Sequence, residues 1–513
     1  MSPPAETGRP GTFGDPWGED TLSQLLEELK GSLPGMRWFA EKSLPLTGLS
    51  VVDHAPLIGG PSPVGWFLLE ATFPGRAPSY YSAFYRREED ALRPAEDHPD
   101  LAEYLLAGLR AASRVPTERG SLTFRPSGPA DGGEALPARV QQVRQITSEQ
   151  SNTSVVIDGR TIHKHLRRIA PGENPDVEVP EYLWSRSPFR NVPRPLGSLA
   201  YSGPKFPLAL VGTTQVFVPN EGDLWTGFRK ELAGAGGTPP PSVLSLVTEL
   251  ASVTGQLHAA LASAPADLTA FSPEPVREAD VARWQASWDT TYERARAELS
   301  QARDRLPPPV RDLAEKVGRC LPQLPARTAL RWEEGLRDSL RTRIHGDYHL
   351  GQVMRTRTGL IILDFEGEPL RSLEERRAKQ SPLKDVAGML RSLDYAAHAA
   401  VRAPFPGSAR PLEDPSLPER SSREMQERFL ERYWAVAGAA RPRWVDPKDP
   451  ALPRLLRFHV TEKALYELSY ELQYRPGWVD IPLRALLRAT GAGPGEVPVA
   501  DVPGRPGRSG EDL

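Results

Sequence analysis

Leu22, Leu25, Leu26 and Leu29 recur at steps of three and four, which places them on one face of a short amphipathic helix. The period then changes. Runs at 50–52, 66–73 and 79–85 are rich in β-branched and aromatic residues and are bounded by Gly and Pro, which predicts strands. Residues 96–110 predict a second helix, and a Pro/Gly-rich stretch follows at 116–137. A β-rich section is predicted at 139–218. Its clearest element is a hairpin of 153–157 and 160–166 around Asp158-Gly159, a dipeptide that favours tight two-residue turns. From 241 onward the apolar positions return to helical spacing, as in Leu250, Val253, Leu257 and Leu261. Segments 231–243 and 402–420 read as loops, and 1–20 and 495–513 as mobile tails. No internal repeat is present.

The order is a β-rich section followed by a larger helical one, which predicts two lobes of different make-up, a shape that by itself establishes no function. The length of 513 residues suggests about three folding units. They are expected at 1–90, 91–220 and 221–495, with 496–513 a flexible tail. Lys and Arg number 63 against 66 Asp and Glu, a net charge of -3, so no bulk attraction to nucleic acid or anionic membranes is expected. Cys320 is the single cysteine, which excludes an intramolecular disulfide and fits a reducing compartment. The N-terminus lacks the pattern of a signal peptide, and no apolar run is long enough to span a bilayer. A cytoplasmic, soluble protein is the expectation.

The most informative segment is Arg343-Ile344-His345-Gly346-Asp347-Tyr348-His349-Leu350-Gly351-Gln352, followed by Leu360-Ile361-Ile362-Leu363-Asp364-Phe365-Glu366. Phosphoryl transfer needs a carboxylate near the attacking hydroxyl, oxygen ligands for Mg²⁺ and a cation on the nucleotide phosphates. Asp347 supplies the first. Gln352, five residues later, and Asp364, at the end of an apolar strand-like run, supply metal-binding oxygens.

The cation is read in the hairpin. Ile162, Lys164 and Leu166 share one strand face, and a Lys on an apolar face needs either a phosphate with a balancing Glu178 or an outlet to solvent at a sheet edge. Glu178 falls in a helix that Asn174 caps and Pro175 begins, although Pro180 would interrupt its hydrogen-bond ladder. The preceding Thr147-Ser148-Glu149-Gln150-Ser151-Asn152-Thr153-Ser154 contains no Gly. It reads either as a phosphate cradle, with Ser151, Thr153 and Ser154 as donors, or as a polar approach to the hairpin. The backbone from Gln215 to Val218 is a candidate adenine edge.

Late in the chain, Lys463, Tyr466, Glu467, Tyr470, Glu471 and Tyr474 line one helix face. Phenols and carboxylates together suit sugar hydroxyls, and they equally suit a half-buried structural face. Asp385, behind Ser381 and Pro382, is either a brace for the catalytic loop or an ordinary first-turn acid.

RIHGDYHLGQV, LDFEGEP, ERRAKQSPLKDVAGMLRSLDYAAHAA and EKALYELSYELQYRPGWVDIPL together resemble the maltokinase family of the aminoglycoside-phosphotransferase-like kinases. EQSNTSVVIDG, NPDVEV, FVPNEGDLW and RWFAEKS fit the same resemblance, which spans residues 20–485. It implies an α+β, bilobal protein-kinase-like fold with an N-terminal cap, a β-rich ATP-binding subdomain and a helical C-terminal lobe. It further implies ATP-dependent, Mg²⁺-dependent phosphorylation of maltose at O1, feeding α-glucan synthesis. By this match Asp347 is the catalytic base, Gln352 and Asp364 bind metal, and Lys164 pairs with Glu178. Sugar contacts come from the late helix and from His345 beside the catalytic loop. An unfused complex with trehalose synthase stays open. The alternatives are a glucosamine or aminoglycoside kinase, and a silent scaffold for a glucan-pathway enzyme.

Overall fold

The first predicted helix forms as α1 (Glu19–Ser32), with Leu25 and Leu29 buried and its charged residues turned outward. It lies on an antiparallel meander of β1 (Gly48–Ile58), β2 (Val64–Thr72), β3 (Ser79–Glu88) and β4 (Ala91–Pro94). Trp17, fully buried and edge-on to Phe67 at 4.9 Å, closes the same core. The predicted N-terminal tail therefore ends before Trp17, because an indole with an apolar pocket available stays in it. The computed structural model describes residues 17–39, 41–42, 44–89, 91–128, 136–146, 151–330, 336, 339–368, 371–402, 414, 416–441, 443–449 and 451–492. The remaining parts of both predicted tails and of the 116–137 and 402–420 stretches lie outside these residues, as does 147–150.

After α2 (Pro99–Ala111) come β5 (Arg114–Pro116), β6 (Ser121–Pro126), β7 (Val143–Ile146), β8 (Thr153–Ile157), β9 (Thr161–His165), β10 (Arg168–Ile169), α3 (Pro175–Arg186), β11 (Pro195–Ser202) and β12 (Ala209–Val216). Seven of these strands form one antiparallel sheet in the order β5-β6-β11-β12-β9-β8-β7. The hairpin β8–β9 turns as its sequence requires: Asp158 and Gly159 both take positive φ, 49° and 65°. β10 leaves this sheet and pairs instead with β3. Trp66, Leu68 and Phe84 share one core with Leu122, Leu199 and Val211, so the segments on either side of residue 90 bury the same apolar surface. Each such side chain contributes about 1.5–3 kcal/mol on burial. Contacts accordingly group Met1–Glu181 with Pro193–Val218 as one unit, and Tyr182–Val192 with Pro219–Leu513 as the other.

The second unit is mainly helical: α4 (Leu224–Gly234), α5 (Pro241–Ala262), α6 (Glu278–Ala302), α7 (Pro308–Cys320), α8 (Leu324–Thr328), α9 (Leu373–Arg377), α10 (Leu383–Arg402), α11 (Leu417–Ala439), α12 (Leu452–Tyr474) and α13 (Asp480–Ala489). Two ribbons interrupt the helices, β13 (Glu274–Pro275) with β14 (Leu340–Arg341) and β15 (Val353–Thr356) with β16 (Gly359–Ile362). The loop expected at 231–243 is shorter. α4 continues to Gly234 and α5 starts at Pro241, because buried Leu232 and Val243 extend each apolar stripe and Pro suits a first helical position. Among the described residues no helix is long and apolar enough to cross a membrane.

Candidate active site

The segment from Arg343 to Gln352 lies between β14 and β15, and α10 holds it. Asp385, in the first turn of α10 and almost fully buried, accepts the backbone N–H of His345 at 2.8 Å and of Gly346 at 2.9 Å. His258 lies 3.3 Å from the same carboxylate and is itself bonded to the Tyr433 hydroxyl at 2.9 Å. Burial opposes the charge of Asp385, but His258, His345 and the Gly346 N–H outweigh it and keep its pKa below the usual carboxylate range. Gly346 has φ of 88°, a left-handed turn that glycine adopts without strain. The chain then presents Asp347 half-buried.

His345 points inward. Its ring is 1 % exposed, packs between Tyr348 and Phe365, and donates through Nε2 to the Leu363 carbonyl at 2.9 Å. Expected at the sugar, it instead ties the loop to the strand end that carries Asp364. Asp364 itself has φ of 62°, uncommon for a non-glycine residue, and accepts a 3.0 Å hydrogen bond from the Gln352 side-chain amide. The two expected metal ligands thus meet. A carboxylate and an amide carbonyl are the hard oxygen donors that Mg²⁺ takes, so the residues present fit that ion.

Facing the loop is α12. Lys463 Nζ lies 3.3 Å from Asp347 Oδ1 and 2.9 Å from Glu368 Oε1. Burial opposes its charge, yet Glu368 and Asp347 more than offset this and hold the ammonium's pKa well above its ordinary value. Glu368 is likewise penalised by burial but held well below the carboxylate range by Lys463, Lys384 and Arg371. Asp347, Glu368, Arg371, Lys463 and Tyr466 line a narrow recess of ≈ 30 Å³, room for a hydroxyl-sized group.

The rest of the expected sugar face divides. Glu467 accepts two hydrogen bonds from Arg391, at 2.8 and 2.6 Å, and is buried. Glu471 is tied to Arg475 at 2.6 Å and to the Tyr395 hydroxyl at 3.0 Å. Tyr470 is exposed beside Tyr474, their rings 4.9 Å apart.

In the first unit, Lys164 Nζ meets Asp176 at 3.2 Å, both side chains largely covered. Asn174 caps α3 by accepting the Asp176 N–H at 2.9 Å, and the helix runs on through Pro180, with Glu178 in its first turn. Thr153 is buried, its hydroxyl accepting from Arg167 at 2.8 Å. Ser154 is buried and Ser151 exposed, while Gln215 and Val218 are half-buried at the end of β12 and just beyond it. The expected apolar face of Ile162, Lys164 and Leu166 is only partly covered, and the more buried face of β9 carries Thr161, His163 and His165.

Two groups escaped the reading of the sequence. Glu368, in the LDFEGEP run two residues after Glu366, is the buried partner of Lys463. Asp176 lies two residues before Glu178. Acid-rich runs just after Asp364 and at a helix N-terminus were the available signals.

Residues 230–368 match the model of a family described as phosphotransferase enzymes. The chain is similar to a glucosamine kinase of Streptacidiphilus jiangxiensis, 26% identical over 388 residues that make up 74% of this chain and 79% of the relative. A glucosamine kinase of Mycolicibacterium smegmatis is 26% identical over 345 residues, 67% of this chain and 78% of that one. Among solved structures, a glucosamine kinase in crystal form B has a TM-score of 0.62 and 22% identity, covering 90% of this chain and 98% of its own. A glucosamine kinase in complex with glucosamine, ADP and inorganic phosphate gives 0.60 at the same identity and coverage. The fold is that of these kinases: mixed α+β, with β-rich sheets and a helical C-terminal region. The relatives are named for glucosamine, not maltose.

Proposed function

We propose that this protein is an ATP-dependent sugar kinase whose acceptor is a neutral sugar, maltose first, phosphorylated at its anomeric O1. The observation that carries the choice of a neutral acceptor is the Lys463 ammonium seated on Asp347 and Glu368. An acceptor amine brought to that place would meet a like charge within a few ångströms, whereas a hydroxyl can accept a hydrogen bond from Lys463 and donate one to Asp347. Maltose, rather than another neutral sugar, rests on the motif resemblance.

In this reading Asp347 orients the sugar hydroxyl and takes its proton. The freed oxygen attacks the γ-phosphorus in line, a new O–P bond forms, and the bond to the β-phosphate oxygen breaks to release ADP. Lys164, held by Asp176, offers its charge to the nucleotide phosphates. When bound, Mg²⁺ would neutralise charge on the transferring phosphates, with Asp364 and Gln352 as its protein ligands.

A second reading, glucosamine as acceptor, is favoured by the names of the two relatives and of the structural neighbours. The test is ADP release with Mg-ATP across maltose, glucose, glucosamine, trehalose and an aminoglycoside, with phosphorus NMR of the product. Strong turnover on maltose with a non-reducing sugar phosphate supports the proposal. Preference for glucosamine or an aminoglycoside overturns the neutral acceptor and keeps the kinase. No turnover on any of them overturns both.

A further inference from the structure

Helix α10 grips two partners along one broad stripe. On one side of the stripe, Asp385 holds the His345 and Gly346 N–H groups, Ser392 Oγ accepts the Leu350 N–H at 3.0 Å, and Gly388 lets the helix approach the Tyr348 carbonyl. A Cβ at Gly388 would lie 2.7 Å from that oxygen. These positions recur at steps of three and four, as one helix face requires. On the adjoining side, Arg391 Nε and Nη2 donate to Glu467 of α12 at 2.8 and 2.6 Å, and Tyr395 donates to Glu471 at 3.0 Å.

Glu467 stands one turn beyond Lys463, whose ammonium is 3.3 Å from Asp347. The carboxylate proposed as base and the cation that faces it therefore hang from the same helix, one through Asp385 and the other through Arg391. Arg391 is 2 % exposed, so it cannot itself reach a sugar. Its remaining arm goes to Asp394, which Arg488 of α13 meets at 2.9 Å and Ser422 of α11 at 2.8 Å. A buried ionic cluster of this kind gains little stability over a well-packed apolar one, but its bonds tie α10 to α11, α12 and α13 in one fixed arrangement.

We propose that Arg391 is a positioning residue for the acceptor: through Glu467 it sets the register of α12 against α10, and so fixes Lys463 relative to Asp347. The proposal rests on the reading of Asp347 and Lys463 as the acceptor site. It assigns to Glu467 an indirect role in place of direct contact with the sugar.

The experiment compares Glu467→Gln, Arg391→Lys and Ser422→Ala in the full-length chain, varying sugar and Mg-ATP separately. Glu467→Gln and Arg391→Lys are each expected to raise the KM for sugar by about tenfold, the scale of one charged hydrogen bond, with the KM for Mg-ATP unchanged. Ser422→Ala, which weakens the same buried cluster away from α12, should lower the melting temperature and leave the KM for sugar alone. If Glu467→Gln raises that KM and Arg391→Lys does not, Glu467 touches sugar directly and the proposal is overturned. It is also overturned if neither moves it, or if Ser422→Ala moves it equally. Should the wild-type chain phosphorylate no sugar, the acceptor reading has failed, and amide hydrogen exchange then decides. Faster exchange across 460–470 in both α12-linked variants, with His345 and Gly346 unchanged, supports the positioning role; unchanged exchange overturns it.

Discussion

Two side chains carry most of the chemistry proposed for this protein, and each makes a separable prediction. Asp347→Asn keeps the shape of the carboxylate but cannot take a proton, so turnover should fall by about 10²–10⁴-fold, the range of general-base contributions. Circular dichroism should show an unchanged fold; preserved ADP release would remove Asp347 from the base role. Lys463→Met removes the cation between Asp347 and Glu368 while keeping an apolar stem. It should lower kcat/KM for a neutral sugar by about tenfold or more, since hydrogen bonds to charged groups contribute about 1.5–3 kcal/mol. It should also shift relative preference toward glucosamine in a two-acceptor competition, because the like charge is gone. A variant with unchanged preference would mean that Lys463 does not select the acceptor. At this scale the sequence brought Asp347, Gln352, Asp364, Asp385 and Lys463 into candidacy. It could not show that His345 turns inward or that Arg391 claims Glu467, because each depends on groups distant in the chain.

Among the elements, β9 and α10 make the clearest demands. The buried face of β9 places His165 between Ser82 Oγ at 2.9 Å and Glu96 at 3.1 Å, and Glu96 also pairs with Arg167 at 2.6 Å. Burial, with help from Arg167, lowers the pKa of His165 to about 4. Burial, with His165 nearby, lowers that of His163 to about 3. Both rings are therefore neutral in the folded chain at a pH where the unfolded chain, near 6.5, already binds protons. Stability from this source is complete above the unfolded value and is lost as pH falls through it toward the folded values. The slope is about 1.4 kcal/mol per pH unit for each ring between pH 6.5 and 4. Calorimetry at pH 7, 6, 5 and 4 should show a falling melting temperature, and His163→Leu should flatten the decline. In α10, Gly388→Ala forces backbone apart at the Tyr348 carbonyl and should cost about 1–3 kcal/mol, as overpacking does. Turnover should fall with it, because the same helix holds the loop that carries Asp347, the proposed base; full activity in that variant would show that the loop tolerates displacement.

On the scale of the whole molecule, ligand binding should be visible as stability. A nucleotide that binds only the folded chain stabilises it by about 2.7 kcal/mol when present at 100 times its dissociation constant. Mg-ADP should therefore raise the melting temperature in a concentration-dependent way, and chelation of the metal or Asp364→Asn should reduce the shift. No shift in the wild-type chain would argue against a nucleotide site. Local signals in the chain decided part of the architecture: the period of its apolar residues placed α1, α5 and the first three strands, and Asp158-Gly159 determined a turn that needs two positive φ values. Spacing alone brought Asp347, Gln352 and Asp364 into candidacy, because catalytic loops are short and their geometry is nearly local. Tertiary structure alone decided that segments before and after residue 90 share one core, that β10 joins the first sheet, and that Lys164 meets Asp176. It alone seated Lys463 on Asp347 and Glu368, pairs separated by 116 and 95 positions. The physical reason is range: periodicity and turn chemistry act over a few residues, whereas the partner of a buried charge is chosen by which distant surfaces packing brings together.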